Sequence, residues 1–319
     1  MDRSGSLEKV LSSLENQTYT NFEVVIVDGS ADELTEEVAG RHKKFISIIF
    51  IKQKTKGLVN VINEGVEQST GDVLIRTDDD IIAEKEWLEE IINAFNKSEL
   101  VGGVTGPTIV PEEIKDSRDL FYFQGKMSTG SFLWRLLGKF YFKYLLEGKA
   151  FSIGKFFRSG AFSVGSNYID YLTFDKCIEV DHLEGCNLAV RNDLLKRIGG
   201  FDPIFSGVAE YNDADAAYKI KKLGYKILFN PKAKILHLPS KDGAYKERIN
   251  SYSRMINFII FYFRHIRPDN LDKFIRFSMY LLFLNGYYTY RFFTTWNFGY
   301  LQSIPATFIG FFQNVFKRN

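Results

Sequence analysis

The first third of the chain predicts an α/β fold, a sheet covered by helices on both faces. Three short β-branched runs lie at residues 22–27, 46–51 and 73–77; the first stops at a turn signal and the third at three aspartates. Between them apolar residues recur at helical spacing. Runs that are apolar almost throughout and alternate with helices imply a parallel sheet buried on both sides. Such sheets bind ligands beyond the carboxyl ends of their strands.

Leu7, Val10, Leu11 and Leu14 fall at i, i+3, i+4 and i+7 and predict a helix. The run FEVVIV follows and ends at Asp28-Gly29-Ser30, a turn signal. After the second run, Leu58, Val61, Ile62 and Val66 repeat the helical spacing, and VLIRT then leads into Asp78, Asp79 and Asp80. A further helix is expected from Ala83 onwards, with Trp87, Leu88, Ile91, Ile92 and Phe95 on its buried face. A helix starting near Ser6 should follow a first strand, yet only five residues precede it. That strand is therefore expected to be missing, and Met1 is not expected to be the true start.

Three consecutive carboxylates at a strand end repel one another and are costly without a cation among them. A divalent ion shared with diphosphate oxygens would relieve that repulsion. A solvated acidic turn at a helix N-terminus is the plainer reading. The residues leading in, Gly71 to Ile75, favour the metal. A net charge of +2 gives no field suited to nucleic acid. Two cysteines, Cys177 and Cys186, are too few for a disulfide framework and fit a reducing compartment. Met1 leads straight into polar residues, so no leader peptide is expected.

A series of short motifs now falls into a recognisable order. Asn16-Gln17-Thr18-Tyr19, Asp28-Gly29-Ser30-Ala31-Asp32, Lys56-Gly57-Leu58, Asn63-Glu64-Gly65 and Asp78-Asp79-Asp80 come first. Gly185-Cys186-Asn187 through Arg191, Gly199-Gly200-Phe201-Asp202 and Asn212-Asp213-Ala214-Asp215 follow. Over about residues 3–240 the chain resembles family 2 glycosyltransferases of the GT-A fold. The resemblance implies a Rossmann-like mixed sheet flanked by helices. It also implies a nucleotide-sugar donor contacted by Asp28, Lys56, Gly57, Asp78 and Asp79. Asp80, with His237, would hold Mn²⁺ or Mg²⁺, and Gly185, Asn187 and Asp215 would lie on the acceptor side. Asp213 would be the general base of an inverting single displacement, with Glu210 as a rival. The family usually has Glu where this chain has Asn212, and loss of that neighbouring carboxylate should lower the pKa of Asp213. His42, His182 and His265 carry no recognisable context.

Aromatic residues make up 16% of the chain, and most of the excess follows Leu120. Leu133, Leu136, Leu137, Phe140, Tyr144 and Leu145 share one helical face, with Arg135, Lys139 and Lys143 in a stripe beside it. A basic amphipathic helix of this kind reads as a membrane-surface element, against the alternative of a core helix with a solvated edge. Residues 277–290 and 292–316 contain a single charge-free stretch each, diluted by polar side chains, and predict interfacial or re-entrant helices more than a clean span. Lys317 and Arg318 suit anionic head groups. Asn257, Arg264 and His265 fall in a stretch similar to the C-terminal extension of membrane-associated relatives.

The expected organisation is a catalytic domain at residues 1–245, interrupted by an acceptor-side insertion at about 115–175, and a helical membrane-facing extension at 246–319. The expected location is the cytoplasmic face of the cell membrane, peripheral or monotopic. The acceptor would be lipid-linked or a growing glycan. Polyprenyl phosphate as acceptor, or a non-catalytic sugar-nucleotide-binding protein, stand as alternatives.

Overall fold

Leu7, Val10, Leu11 and Leu14 turn one face of α1 (Ser4–Glu15) into the core, as their spacing predicts. Burying four such side chains stabilises the helix by roughly 1.5–3 kcal/mol each. The computed structural model describes residues 3–111, 120–150, 152–163, 174–239 and 250–316. The chain divides into two units, Met1–Val110 with Ile169–Arg248 and Pro111–Tyr168 with Ile249–Asn319. The segment expected as an insertion thus groups largely with the C-terminal helices.

In the first unit β1 (Glu23–Asp28) pairs in parallel with β2 (Ser47–Lys52), and α2 (Leu34–His42) connects them. After α3 (Leu58–Gln68), β3 (Val73–Arg76) opens a second sheet. The helix expected from Ala83 begins later, as α4 (Trp87–Phe95), because Ile81–Ala83 forms a short strand, β4. Then come β5 (Val101–Thr105), β6 (Thr108–Ile109), β7 (Ile178–Val180), β8 (Leu188–Arg191), α5 (Asn192–Arg197), α6 (Asn212–Lys222), β9 (Lys226–Phe229) and β10 (Ile235–His237).

The principal sheet runs β3-β8-β5-β9-β7, and a smaller one runs β4-β10-β6. Among the described residues only the pairs β1/β2, β5/β9 and β10/β6 are parallel. The parallel sheet read from the first three strands is therefore corrected to the mixed sheet that the family resemblance implies. Strand β8, supplied by the second half of the chain, runs antiparallel between β3 and β5. Among the described residues no strand precedes α1, β1 pairs with β2 alone, and β3 is an edge strand. One core joins these sheets, with Trp87, Ile91, Val104, Ala189 and Ile235 buried in it.

The second unit is helical: α7 (Leu120–Thr129), α8 (Phe132–Phe140), α9 (Ser251–Phe261), α10 (Leu271–Thr295) and α11 (Ser303–Phe316). Wide π-type turns extend α8 through Tyr141–Leu145 and α9 through Tyr262–Ile266. Much of the aromatic excess is spent inside it. The Tyr262 ring stacks on Phe277 at 4.0 Å, and Tyr141 stacks on Phe283 at 4.4 Å. The Arg276 guanidinium lies 3.9 Å from the Tyr144 ring centroid.

Leu145 is buried, whereas Leu133, Leu136, Leu137 and Phe140 point outwards from α8, Leu133 at 70% exposure. The core-helix alternative thus holds for the π turn and fails for α8 itself. No described helix is long and apolar enough to cross a membrane. Lys317 and Arg318 lie outside the described residues.

Candidate active site

The acidic triplet fills the turn between β3 and β4. Antiparallel pairing sets His237, the last residue of β10, opposite Ile81. That register brings His237 Nε2 to 3.1 Å from Asp80 Oδ1 and 4.0 Å from Asp78 Oδ2. The three potential ligand atoms lie within 4.8 Å of one another. Two carboxylates and an imidazole are a donor set for a divalent cation of the Mn²⁺ or Mg²⁺ type.

The cluster already draws in a positive charge. Arg3 places one guanidinium nitrogen 2.6 Å from Asp79 Oδ1 and 2.7 Å from Asp80 Oδ2. Its Nε is buried without a hydrogen-bond partner, so charge, more than a fitted hydrogen-bond set, holds the side chain there. Burial pushes the Asp79 carboxyl up to about 6; Arg3 opposes this, and Asp80 and Asp78 add to it. Asp78, Asp80 and His237 could hold a divalent ion, so the residues fit the ion implied by the sequence.

Asp213 lies in the first turn of α6, where acidic side chains oppose the positive helix end. Its backbone entry is constrained: Ala209 and Tyr211 take left-handed φ values of 55° and 72°. Non-glycine residues hold that conformation only where the surroundings impose it. Asp213 Oδ1 accepts from the Ala214 N–H at 2.8 Å and lies 3.6 Å from His182 Nε2. Burial would raise this carboxyl, but His182, Arg76 and the Ala214 N–H outweigh it and hold the pKa below the usual value. The lowering, expected from the absence of a carboxylate at Asn212, is caused here by His182, Arg76 and the Ala214 N–H. A Cβ at Gly185 would come 2.9 Å from Asp213 Oδ2, so a side chain there would have to displace the carboxylate. Glu210 sits in the turn before the helix.

At the end of β1, Asp28 accepts from the Ser30 N–H and hydroxyl, each at 2.9 Å, and from Lys52 at 2.6 Å. Register pairs Asp28 with Lys52. Burial raises the Asp28 carboxyl, and Lys52 and Ser30 more than offset this, so its pKa is lowered. Lys56 and Gly57 form the exposed turn into α3, Gly57 with a φ of 98° that favours glycine.

The acceptor-side residues divide. Gly185 adjoins Asp213. Asp215 is buried and ion-paired with Lys219 at 2.7 Å. Asn187 is fully buried; its Oδ1 accepts from Trp87 Nε1 at 2.9 Å, and its Nδ2 donates to Ala233 O at 2.9 Å and Pro107 O at 3.3 Å. Those bonds make it a fastening of the core.

The family model for glycosyl transferase family 2 matches residues 2–165. The chain belongs to that family. It is 21% identical over 243 residues to a glucosyl-dolichyl phosphate glucuronosyltransferase of Haloferax volcanii, covering 74% of this chain and 66% of that protein. The chain spans 29% and 34% of two other curated relatives. Among solved structures it is similar to the mannosyltransferase PcManGT from Pyrobaculum calidifontis in complex with GDP-Man and Mn²⁺. The TM-score is 0.52 at 15% identity, covering 99% of this chain and 85% of that one. A similar match joins it to S. aureus TarS 1-349 in complex with UDP, with a TM-score of 0.52 at 14% identity over 90% of this chain and 69% of that one. These likenesses establish the GT-A fold of the family.

Four side chains at the site escape a reading of motifs. Lys52 could have been found by counting the parallel register back from Asp28. Arg76 stands on an apolar strand two residues before the triplet, an unusual place for a cation. Arg3 and His182 carry no local signal, since what matters is what the fold brings to them.

Proposed function

We propose that the chain is a metal-dependent, inverting glycosyltransferase that moves a sugar from a nucleoside diphosphate donor to a hydroxyl of a lipid-linked or growing glycan acceptor. One observation carries this reading. Arg76, two residues before Asp78, donates to Asn212, the neighbour of Asp213, at 3.1 Å. This contact ties the strand that leads into the metal-binding candidates to the start of the helix that carries the candidate base, which supports the reading.

Asp28, held by Lys52 and Ser30, would receive the nucleoside, with Lys56, Gly57, Asp78 and Asp79 along the donor. Asp80, His237 and Asp78 would hold Mn²⁺ or Mg²⁺, which when bound supplies Lewis-acid neutralisation of the departing diphosphate. Asp213 Oδ2 takes the proton of the acceptor hydroxyl as that oxygen bonds to the anomeric carbon. The bond from this carbon to the diphosphate oxygen breaks, and its electron pair leaves with the nucleoside diphosphate. A single displacement of this kind inverts the carbon without a second, nucleophilic carboxylate. The solved mannosyltransferase carries GDP-Man and Mn²⁺, and the Haloferax relative is named a glucosyl-dolichyl phosphate glucuronosyltransferase; both support the reading.

The exposed apolar face of α8, with Arg135, Lys139 and Lys143 beside it, supports attachment to the cytoplasmic face of a membrane, where anionic lipid complements the basic stripe. A lipid-linked acceptor would be met there. The experiment is turnover of a panel of nucleotide-sugars with Mn²⁺ or Mg²⁺, in the presence of membranes, for the protein and for Asp80→Ala and Asp213→Asn. The reading expects one donor to turn over, and both variants to lose activity while Asp213→Asn still binds donor. Donor binding without turnover would favour a non-catalytic sugar-nucleotide-binding protein instead.

A further inference from the structure

We infer that His182 is a positioning residue for the candidate base, fixing one oxygen of Asp213 so that the other faces the acceptor; this rests on the role proposed for Asp213. His182 lies in the connection that follows β7, and Asp213 lies on α6. Lys221, also on α6, ties that connection down by an ion pair with Asp181 and a donated bond to Val180 O at 3.4 Å. Leu183, the next residue, is fully buried. The imidazole is thus anchored from both neighbours and meets the carboxylate in a set geometry.

The two oxygens of Asp213 are not equivalent. Oδ1 faces His182 Nε2 and accepts from the Ala214 N–H. Oδ2 lies on the side of Gly185, where a Cβ would come 2.9 Å from it and 3.6 Å from Arg76 Nη2. Side-chain exposures of 14% for His182 and 16% for Asp213 make the pair nearly buried yet open to a ligand. The Ala214 N–H bonded to Oδ1 and the imidazole 3.6 Å from it set the rotation of the carboxylate, which leaves Oδ2 for an incoming hydroxyl. Orientation of this kind is a large share of what a general base needs.

Charge acts in the same direction. Burial lowers the His182 pKa, but Asp213, then Glu184 and Asp181, overcome this and hold it above the usual value. Facing Asp213 are His182 and Arg76, with Lys221 behind Asp181. A protonated His182 keeps Asp213 ionised, which is the form that accepts a proton.

The test compares His182→Gln and His182→Ala with the unaltered protein by steady-state kinetics across pH, with the most active donor. Gln retains a neutral donor, so it should restore part of the kcat that Ala loses, roughly tenfold or more, at unchanged donor KM. In His182→Gln the acidic limb of the kcat/KM profile should move to higher pH, because Asp213 loses its charged neighbour. Folded variants with kcat within twofold and an unmoved limb overturn the inference. So does a parallel loss of kcat, donor affinity and unfolding temperature in both variants, which marks a merely structural residue. If the unaltered protein turns over no donor, the proposed function fails and NMR titration still decides the pairing. His182 should then titrate at lower pH in Asp213→Asn, and an unchanged titration overturns the inference.

Discussion

Arg76 Nη1 donates to Asn212 Oδ1 at 3.1 Å across 136 residues of chain, and its guanidinium lies 5.7 Å from the Phe201 ring centroid. Asn212 is buried and its Nδ2 donates to Ala209 O. Asn212→Ala leaves a buried part of this contact unsatisfied and should cost about 1–3 kcal/mol. Urea unfolding followed by circular dichroism reads this as a lower midpoint; an unchanged midpoint would show that the contact contributes nothing to the fold.

The metal site separates its donors by chemistry. Asp80→Ala should abolish binding of either cation, whereas His237→Ala should weaken Mn²⁺ more than Mg²⁺, since imidazole nitrogen suits the former better. Arg3→Ala removes a competing cation and should tighten both. Isothermal titration with each metal, without donor, measures all three variants; a His237 variant that binds both metals as before would remove it from the ligand set.

Asn187 was read from its motif as an acceptor-side residue, and its three core hydrogen bonds predict a different defect. Asn187→Ala leaves Trp87 Nε1, Ala233 O and Pro107 O without this partner, at a cost of roughly 2–5 kcal/mol. Thermal unfolding should therefore fall by several degrees. Any enzyme that remains folded at low temperature should keep its acceptor KM, and a raised acceptor KM with unchanged stability would restore the motif reading.

Vesicle flotation tests the outward face of α8. Leu133→Glu with Leu136→Glu replaces two side chains that are 70% and 55% exposed, so folding should survive. Binding to vesicles containing anionic phospholipid should drop at least tenfold, and binding of the unaltered protein should fall as salt rises. Equal flotation of both proteins would detach α8 from any membrane role.

The pair His182 and Asp213 also makes stability depend on pH. The His182 pKa is raised in the folded state, so its contribution is present below the unfolded value of about 6.5 and fades as pH rises through the folded value. The Asp213 pKa is lowered, so its contribution is present above about 3.9 and fades on acidification. His182→Gln should consequently destabilise the protein more near pH 5.5 than near pH 8.5, as read from unfolding midpoints at the two values.

Much of the catalytic unit was legible in the residues alone. Local periodicity suffices for the existence of α1, α3 and α4, and for α1 the buried face itself is written in the spacing of Leu7, Val10, Leu11 and Leu14. The repulsion within the triplet at Asp78, Asp79 and Asp80 pointed to a place that could hold a cation, and the order of motifs singled out Asp213 as the candidate base. Tertiary structure decided the rest. The mixed sheet, the placing of His237 beside Asp80, the core role of Asn187 and the approach of His182 to Asp213 depend on strand order and register between distant segments, which no local pattern encodes. For α8 and the π turn after it the sequence carries one continuous apolar face. Only the neighbours supplied by the fold decided that Leu145 is buried and Leu133 meets solvent, because burial belongs to the pair of surfaces and not to the side chain.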